Sequence, residues 1–322
     1  MDKPEISVII PAFSRTDFLE SAVRSVLSQT FRNFELFIVH NGGNDGPREV
    51  AERLVREDSR VKYFHLQEAG AVAARNFGAG AARGDYLAFL DDDDEWMMSK
   101  LERQLKVFGE FPETDLVYCR AVRVFEGGRE EEDKIAADPH ITFEQLVIEG
   151  CTLRSLSGVL VERKKFQGIS AFDAQYDVAN DYDYYLRFVL KYSIRFLDEV
   201  LYRYYCHSGN LSNSPDIRFK ETIRVLRKRR SEETDPARRR LLKKGISRYG
   251  RRYFAEAVDA ADRKDYRAAS KYYFSAVYYM PSVGLNVEWS RYPNRGYKFL
   301  RPYLLAAICA LRSLNAPKSV SR

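Results

Sequence analysis

Cysteine is scarce and scattered in this chain. The four in 322 residues, Cys119, Cys151, Cys206 and Cys309, form no CxxC or CxxH pair, so neither a zinc knuckle nor a disulfide framework is indicated, and the reducing cytoplasm is the expected compartment. Long apolar runs are lacking too. Behind Asp2 and Glu5 the N-terminus offers only Ile6 to Ile10, too short for a signal peptide or a membrane span, so the chain is expected to begin folded and to stay inside the cell. No array of aromatics suited to stacking on bases is seen, and the arginines fall in helical patterns, which argues against a nucleic-acid partner. What is present is an ordinary globular share of 45% hydrophobic residues and a net charge of +6 that is unevenly placed. Between Arg218 and Arg252, fifteen Lys/Arg stand against four Asp/Glu, a surplus of +11 that leaves −5 for everything else.

Hydrophobic periodicity orders the first two-thirds. Ile6 to Ile10 reads as a buried strand closed by Pro11, and Leu19, Ala22, Val23, Val26 and Leu27 as one face of a helix capped by Ser14 or Thr16. Phe34 to Val39 is a second strand, Gly46-Pro47 opens a second helix, Val61 to Phe64 is a third strand, and Ala71 to Ala82 a third helix. A helix over Ser99 to Phe111 and a strand over Leu116 to Val122 follow. Such alternation predicts an α/β fold with a mostly parallel sheet covered by helices, in which ligands collect beyond the strand C-termini. Polar clusters fall at three such ends: Pro11 to Arg15, His40 to Asp45, and the aspartates described next. Glu126 to Lys134 reads as an exposed loop or hairpin tip, and Phe143 to Ile148 and Val159 to Lys165 as a helix and a strand.

The apolar run ending at Leu90 empties into Asp91, Asp92, Asp93 and Asp94. Like charges packed this closely repel unless water or a cation screens them, and carboxylate oxygens suit Mg²⁺ or Mn²⁺ completed by a substrate diphosphate. On an extended backbone Asp91 and Asp93 would face one way and Asp92 the other. A solvated acidic turn, or a cap for the helix starting near Ser99, explains the same residues. Asn180-Asp181-Tyr182-Asp183 reads as a helix start, for which capping is the plainer explanation when the stretch stands alone. Arg203 to Asn210, with His207, forms a polar loop able to reach a phosphate. Beyond Pro215 the chain turns to basic helices, Tyr253 to Pro281 resembles a helix-turn-helix unit with Ala255, Ala257, Val258 and Ala261 on its first helix, and the apolar stretch within Tyr297 to Leu314 suits packing or a membrane surface.

Several segments together resemble a known family. They are Ser7-Val8-Ile9-Ile10-Pro11-Ala12-Phe13, Ser25 to Phe31, Phe34-Glu35-Leu36, Gly70 with Ala74-Arg75-Asn76-Phe77-Gly78, Gly84 to Trp96, and Asp181-Tyr182-Asp183. Their order and spacing, over roughly Glu5 to Ser212, are similar to those of the inverting family-two glycosyltransferases of the bacterial polysaccharide type, which have the GT-A fold. The resemblance implies a GT-A domain over 1–215 with a basic α-helical extension over 216–322. It implies transfer of a sugar from a nucleoside-diphosphate donor, commonly a UDP-sugar, to a hydroxyl of a glycan or lipid-linked acceptor with inversion. Pro11, Ala12, Phe13, Asn41, Arg75, Asp91, Asp92, Asp93 and His207 are then expected around the donor, Asp93 and Asp94 on Mn²⁺ or Mg²⁺, and Asp181 as the general base. One departure stands out: where the family commonly carries two aspartates at the second strand end, this chain has His40-Asn41, whose amide can still pair with a pyrimidine edge. A catalytically silent scaffold acting through the C-terminal helices is the alternative function. The basic segment and tail further suggest peripheral contact with anionic lipid on the inner face of the membrane.

Overall fold

The first half of the chain alternates β1 (Ile6–Ala12), α1 (Thr16–Leu27), β2 (Phe34–His40), α2 (Gly46–Glu57), β3 (Val61–His65), α3 (Ala71–Ala81) and β4 (Tyr86–Phe89). Its four strands lie parallel in the order β3-β2-β1-β4. Every residue of β1 and β2 is buried, as befits strands covered on both faces. The molecule is seen in a computed structural model that describes residues 3–42, 45–67, 70–133, 139–210 and 214–279.

Pro11 does not end β1. The carbonyl of Ile9 accepts from Leu90 N and that of Ala12 from Asn41 N, so the intervening Pro11 turns its nitrogen toward β4 at a level β4 has already left. A missing N–H costs no ladder bond there, and the strand continues to Ala12. Nor do Ser14 or Thr16 cap α1, whose N-cap position is Arg15 without a side-chain bond. The helix is held instead by Leu19, Ala22, Val23 and Val26, all buried.

The second half comprises β5 (Glu95–Trp96), α4 (Lys100–Glu110), β6 (Leu116–Phe125), β7 (Glu130–Glu132), α5 (Phe143–Glu149), β8 (Val159–Glu162), α6 (Arg163–Gln167), α7 (Asn180–Phe188) and β9 (Ile194–Cys206). The sheet runs on from β4 through β8, β6 and β9 to β5, with β7 beside β6. Here only β6 and β9 pair in parallel; β4–β8, β8–β6, β6–β7 and β9–β5 are antiparallel. The parallel arrangement expected from the alternation thus describes the first four strands, and the whole sheet is mixed. The charged run after Phe125 is a hairpin into β7, turning at Gly127 and Gly128, both at positive φ. The strand expected over Val159 to Lys165 stops at Glu162 and becomes α6.

From Ser214 the described residues form a second compact unit. It consists of α8 (Pro215–Glu232), α9 (Pro236–Asp262) and α10 (Tyr266–Tyr279). Pro236 opens α9 behind Asp235, whose carboxylate accepts from Ala237 N at 2.7 Å. The inward face of α9 is formed by Tyr253, Phe254, Ala257 and Ala260, while Ala255 is exposed. The tyrosine ring, stacked edge-on against Phe219 at 5.1 Å, sets the helix phase more strongly than the alanines do. Among the described residues no helix is long and apolar enough to cross a membrane. Cys309, Gly43, Asn44 and the stretch Tyr297 to Leu314 lie outside the described residues.

Candidate active site

The C-terminal ends of β1, β2 and β4 open onto a cleft of about 690 Å³. Pro11, Phe13, Asn41, Arg75, Asp91, Asp92, Asp93 and Asp181 all line it, so eight of the residues singled out in the sequence meet in one cavity. Ala12 does not. Its side chain is buried, and its contribution is the carbonyl that accepts from Asn41 N at 3.0 Å.

The four aspartates are not extended. Asp94 N donates to the carbonyl of Asp91 at 3.1 Å, closing a tight turn, and each carboxylate leaves in its own direction. Asp91 accepts from Arg75 at 2.5 Å and from Ser155 Oγ at 3.1 Å. Asp92 accepts from Phe13 N at 3.4 Å and from Arg15 at 3.2 Å. Asp93 accepts from Arg15 and faces His207 Nε2 at 3.0 Å. Asp94, expected on the metal, lies beneath the floor of the cleft at 1% exposure. There it accepts from Ser157 Oγ at 2.6 Å and from Tyr205 N at 3.3 Å. Four like charges on an extended strand would lack these separate partners, which accounts for the turn.

Burial, and next the charge of Asp93, pushes the Asp92 carboxyl up to about 7. Burial raises Asp93 as well, with Asp91 adding to it and Arg15 opposing. Asp94 is raised well above the usual carboxylate range, again by burial first. The turn therefore holds more negative charge than Arg15 and Arg75 relieve, and a cation would find hard oxygen ligands there. Among the described residues no group of three or more His, Cys, Asp or Glu is disposed as a complete metal set. The residues present fit a cation that takes one or two carboxylates from the protein and its remaining ligands from diphosphate and water.

Arg75 reaches the turn because α3 packs against β1 at Gly78. A Cβ there would stand 2.7 Å from Ile9 Cγ2, so only glycine permits this approach. Arg75, one turn earlier, is thereby buried beside Asp91 and close to Asp181.

Asp181 sits in the first turn of α7, anchored by buried Tyr182, Tyr184, Tyr185, Leu186 and Phe188. It does not cap the helix. The N-cap position is Ala179 without a side-chain bond, and Asn180 Nδ2 donates to the carbonyl of Asp177 at 2.9 Å. Asp181 accepts from Tyr182 N at 2.6 Å, and its carboxyl is pushed up to about 7 by burial, with that hydrogen bond and Arg75 opposing. Asp183 is buried and paired to Arg187 at 2.9 Å. Of the two aspartates in this stretch, only Asp181 lines the cleft.

At the second strand end, His40 Nδ1 meets Tyr63 Oη at 2.9 Å and its ring stacks on His65. Asn41 keeps its Oδ1 buried with no hydrogen-bond partner among the described residues, an acceptor left for a ligand N–H. His207 stacks on Phe18 at 5.4 Å, and its Nδ1 accepts from Gly209 N at 3.1 Å, which puts the proton on Nε2 facing Asp93. Its neighbours Gly209 and Asn210, and not the ring itself, line the cleft. Arg203 turns away toward Glu130.

Sequence reasoning gave no individual role to Arg15, Arg154, Ser155 or Tyr204, and only a capping role to Asn180; all five line the same cleft. Arg15 lies inside the polar cluster noted at the first strand end. Arg154 is held by buried Asp133, and Ser155 hydrogen-bonds Asp91; both partners are remote in sequence, and no local pattern signals them.

Comparison with known proteins adds relatives to this geometry. An uncharacterized glycosyltransferase of Rickettsia typhi is 26% identical over 222 residues, 66% of this chain and 67% of that protein. The putative teichuronic acid biosynthesis glycosyltransferase TuaG of Bacillus subtilis is 41% identical over 105 residues, 32% of this chain and 42% of its own length. An uncharacterized glycosyltransferase of Rickettsia conorii is 43% identical over 110 residues, 34% of this chain but only 18% of its own length. Among solved structures, S. aureus TarS 1-349 in complex with UDP-GlcNAc superposes with a TM-score of 0.68 at 17% identity, covering 96% of this chain and 92% of that one. Mannosyltransferase PcManGT from Pyrobaculum calidifontis, in complex with GDP-Man and Mn²⁺, gives 0.60 at 14% identity, covering 97% and 88%. The fold is thus that of the GT-A glycosyltransferases with helices appended at the C-terminus. Since the model of glycosyl transferase family 2 matches residues 7–169, about half of the chain, the protein belongs to that family.

Proposed function

We propose that this glycosyltransferase moves a sugar from a nucleoside-diphosphate donor, a UDP-sugar in the first instance, to a hydroxyl of a glycan or lipid-linked acceptor with inversion, and that Asp181 is the general base. The observation that carries the reading is that Asp181 and the Asp91 to Asp93 turn share one cleft, so that a base and a diphosphate site can face the same anomeric carbon. The acceptor oxygen forms the new bond to that carbon as the bond to the diphosphate oxygen breaks, and the acceptor's proton passes to Asp181. A carboxyl pushed up to about 7 is a stronger base than an ordinary aspartate and is still substantially ionised near neutrality. Asn41, with its unpartnered buried Oδ1, suits an N–H on the edge of a uracil base. That TarS was solved with UDP-GlcNAc, and that TuaG is named for teichuronic acid biosynthesis, supports a nucleotide-sugar donor and a polysaccharide product.

Asp93, with Asp92 beside it and His207 behind, would hold Mn²⁺ or Mg²⁺, while Asp94 braces the turn from below. When bound, the cation would neutralise charge developing on the leaving diphosphate. Arg75 and Arg15 already line the same cleft and add positive charge toward that group.

Asp181→Asn tests the assignment. Transfer is expected to fall by about 10²- to 10⁴-fold, while metal-dependent nucleotide binding, followed by calorimetry, stays close to that of the wild type. Equal loss of both would make Asp181 a structural residue.

A further inference from the structure

We infer that Arg15 is the resident counter-ion of the acidic turn, and that Arg15 and a divalent cation compete for Asp93 Oδ2. The inference rests on the metal-assisted donor site proposed above and adds to it a competitor carried by the chain itself.

Arg15 stands in the link between β1 and α1, where its backbone is not yet helical. One guanidinium nitrogen donates to both Asp92, at 3.2 Å, and Asp93. The other donates to the carbonyl of Gly209 at 3.1 Å. The side chain so ties the first strand end, the acidic turn and the loop after β9 into one wall of the cleft. At Asp93 the bonding is crowded, because the same Oδ2 meets Arg15 and His207 Nε2, the latter at 3.0 Å. A carboxylate oxygen has two lone-pair sites, and both are engaged. A cation can use that oxygen only when one N–H lets go, and a dication beside a guanidinium meets direct like-charge repulsion.

Arg15 is the group suited to leave. His207 is fixed by its stack on Phe18 and by the bond from Gly209 N, whereas Arg15 ends a long side chain, about a third exposed, on a connecting segment. Displaced from Asp93 it still faces the cleft, where the arriving diphosphate offers it bidentate oxygen acceptors. Cation and diphosphate therefore bind cooperatively. The cation alone must evict Arg15 into water, but in company with a diphosphate it moves Arg15 to a new partner.

The test is Mn²⁺ binding to the full chain without donor, read from the free-ion electron paramagnetic resonance signal. Arg15→Met is expected to bind Mn²⁺ alone at least about tenfold more tightly than the wild type, within the usual range of coupling between sites. It should also gain much less affinity on addition of UDP than the wild type does. Arg15→Lys, which keeps the charge, should stay near the wild type. Arg15→Gln serves beside Arg15→Met in case the latter does not fold, as judged by its thermal transition, and is expected to behave the same way. If the neutral variants bind Mn²⁺ no more tightly than the wild type while UDP still promotes Mn²⁺ binding to the wild type, Arg15 is a fixed tie; this inference then fails and the proposed function stands. If none of these proteins binds Mn²⁺, with or without UDP, the metal reading fails and takes this inference with it.

Discussion

At the scale of residues, Asp181 shows how environment sets chemistry. Its carboxyl is pushed up from the ordinary aspartate value of 3.8 to about 7 by burial against Arg75's opposing charge, so the proposed base is half protonated near neutrality. The transfer rate is expected to climb as pH rises through about 7, with the limb lost in Asp181→Asn, as read from a pH–rate profile under saturating donor and acceptor. Stability runs the other way. Between 3.8 and about 7 the unfolded chain releases this proton while the folded chain keeps it, so Asp181 costs stability progressively as pH rises through that window. Asp181→Asn should then melt at or above the wild-type temperature at pH 8 and lose that advantage at pH 4, by differential scanning calorimetry; a lower melting temperature at both pH values would contradict the assignment of cause. Asp181 alone was legible from sequence only as a plausible helix cap. A matching family motif raised it to a base, because one carboxylate carries no record of the cavity it will face.

At the scale of elements, the acidic turn is the instructive case. β1, β2 and the buried face of α1 were legible because contiguous or periodically spaced apolar side chains dictate them. A turn was only one of the readings open for the aspartates, since four identical residues have no period, and what bends them is a set of donors elsewhere. Ser155 and Ser157, which supply hydroxyls to Asp91 and Asp94, belong to the segment entering β8. Ser157 Oγ also accepts from Asp91 N at 3.1 Å. Ser157→Ala is accordingly expected to cost about 1–3 kcal/mol, because it leaves Asp94 buried with a lost partner, and to raise the donor KM more than it lowers kcat. Urea unfolding and steady-state kinetics would check both; an unchanged KM would mean that the turn keeps its shape without that hydroxyl.

At the scale of the whole molecule, the α/β order of the first unit and the helical nature of the second were visible in the alternation of patterns, whereas the antiparallel half of the sheet was not. β8 lies between β4 and β6 though it follows both, and strand order is set by packing across the sheet, not by adjacency in the chain. The basic second unit bears on where the enzyme works. Its surplus of positive charge predicts that the full chain will sediment with vesicles rich in anionic lipid at low salt and be released as salt shortens the Debye length to about 8 Å or less. Equal binding to neutral vesicles, or none, would remove the membrane from the account. The hydroxyls that brace the acidic turn lie 64 and 63 residues beyond the carboxylates they hold. During synthesis, then, the emerging N-terminal half carries its aspartates long before it has the hydroxyls that bend them, and the acidic turn can take its final shape only once the segment entering β8 has followed.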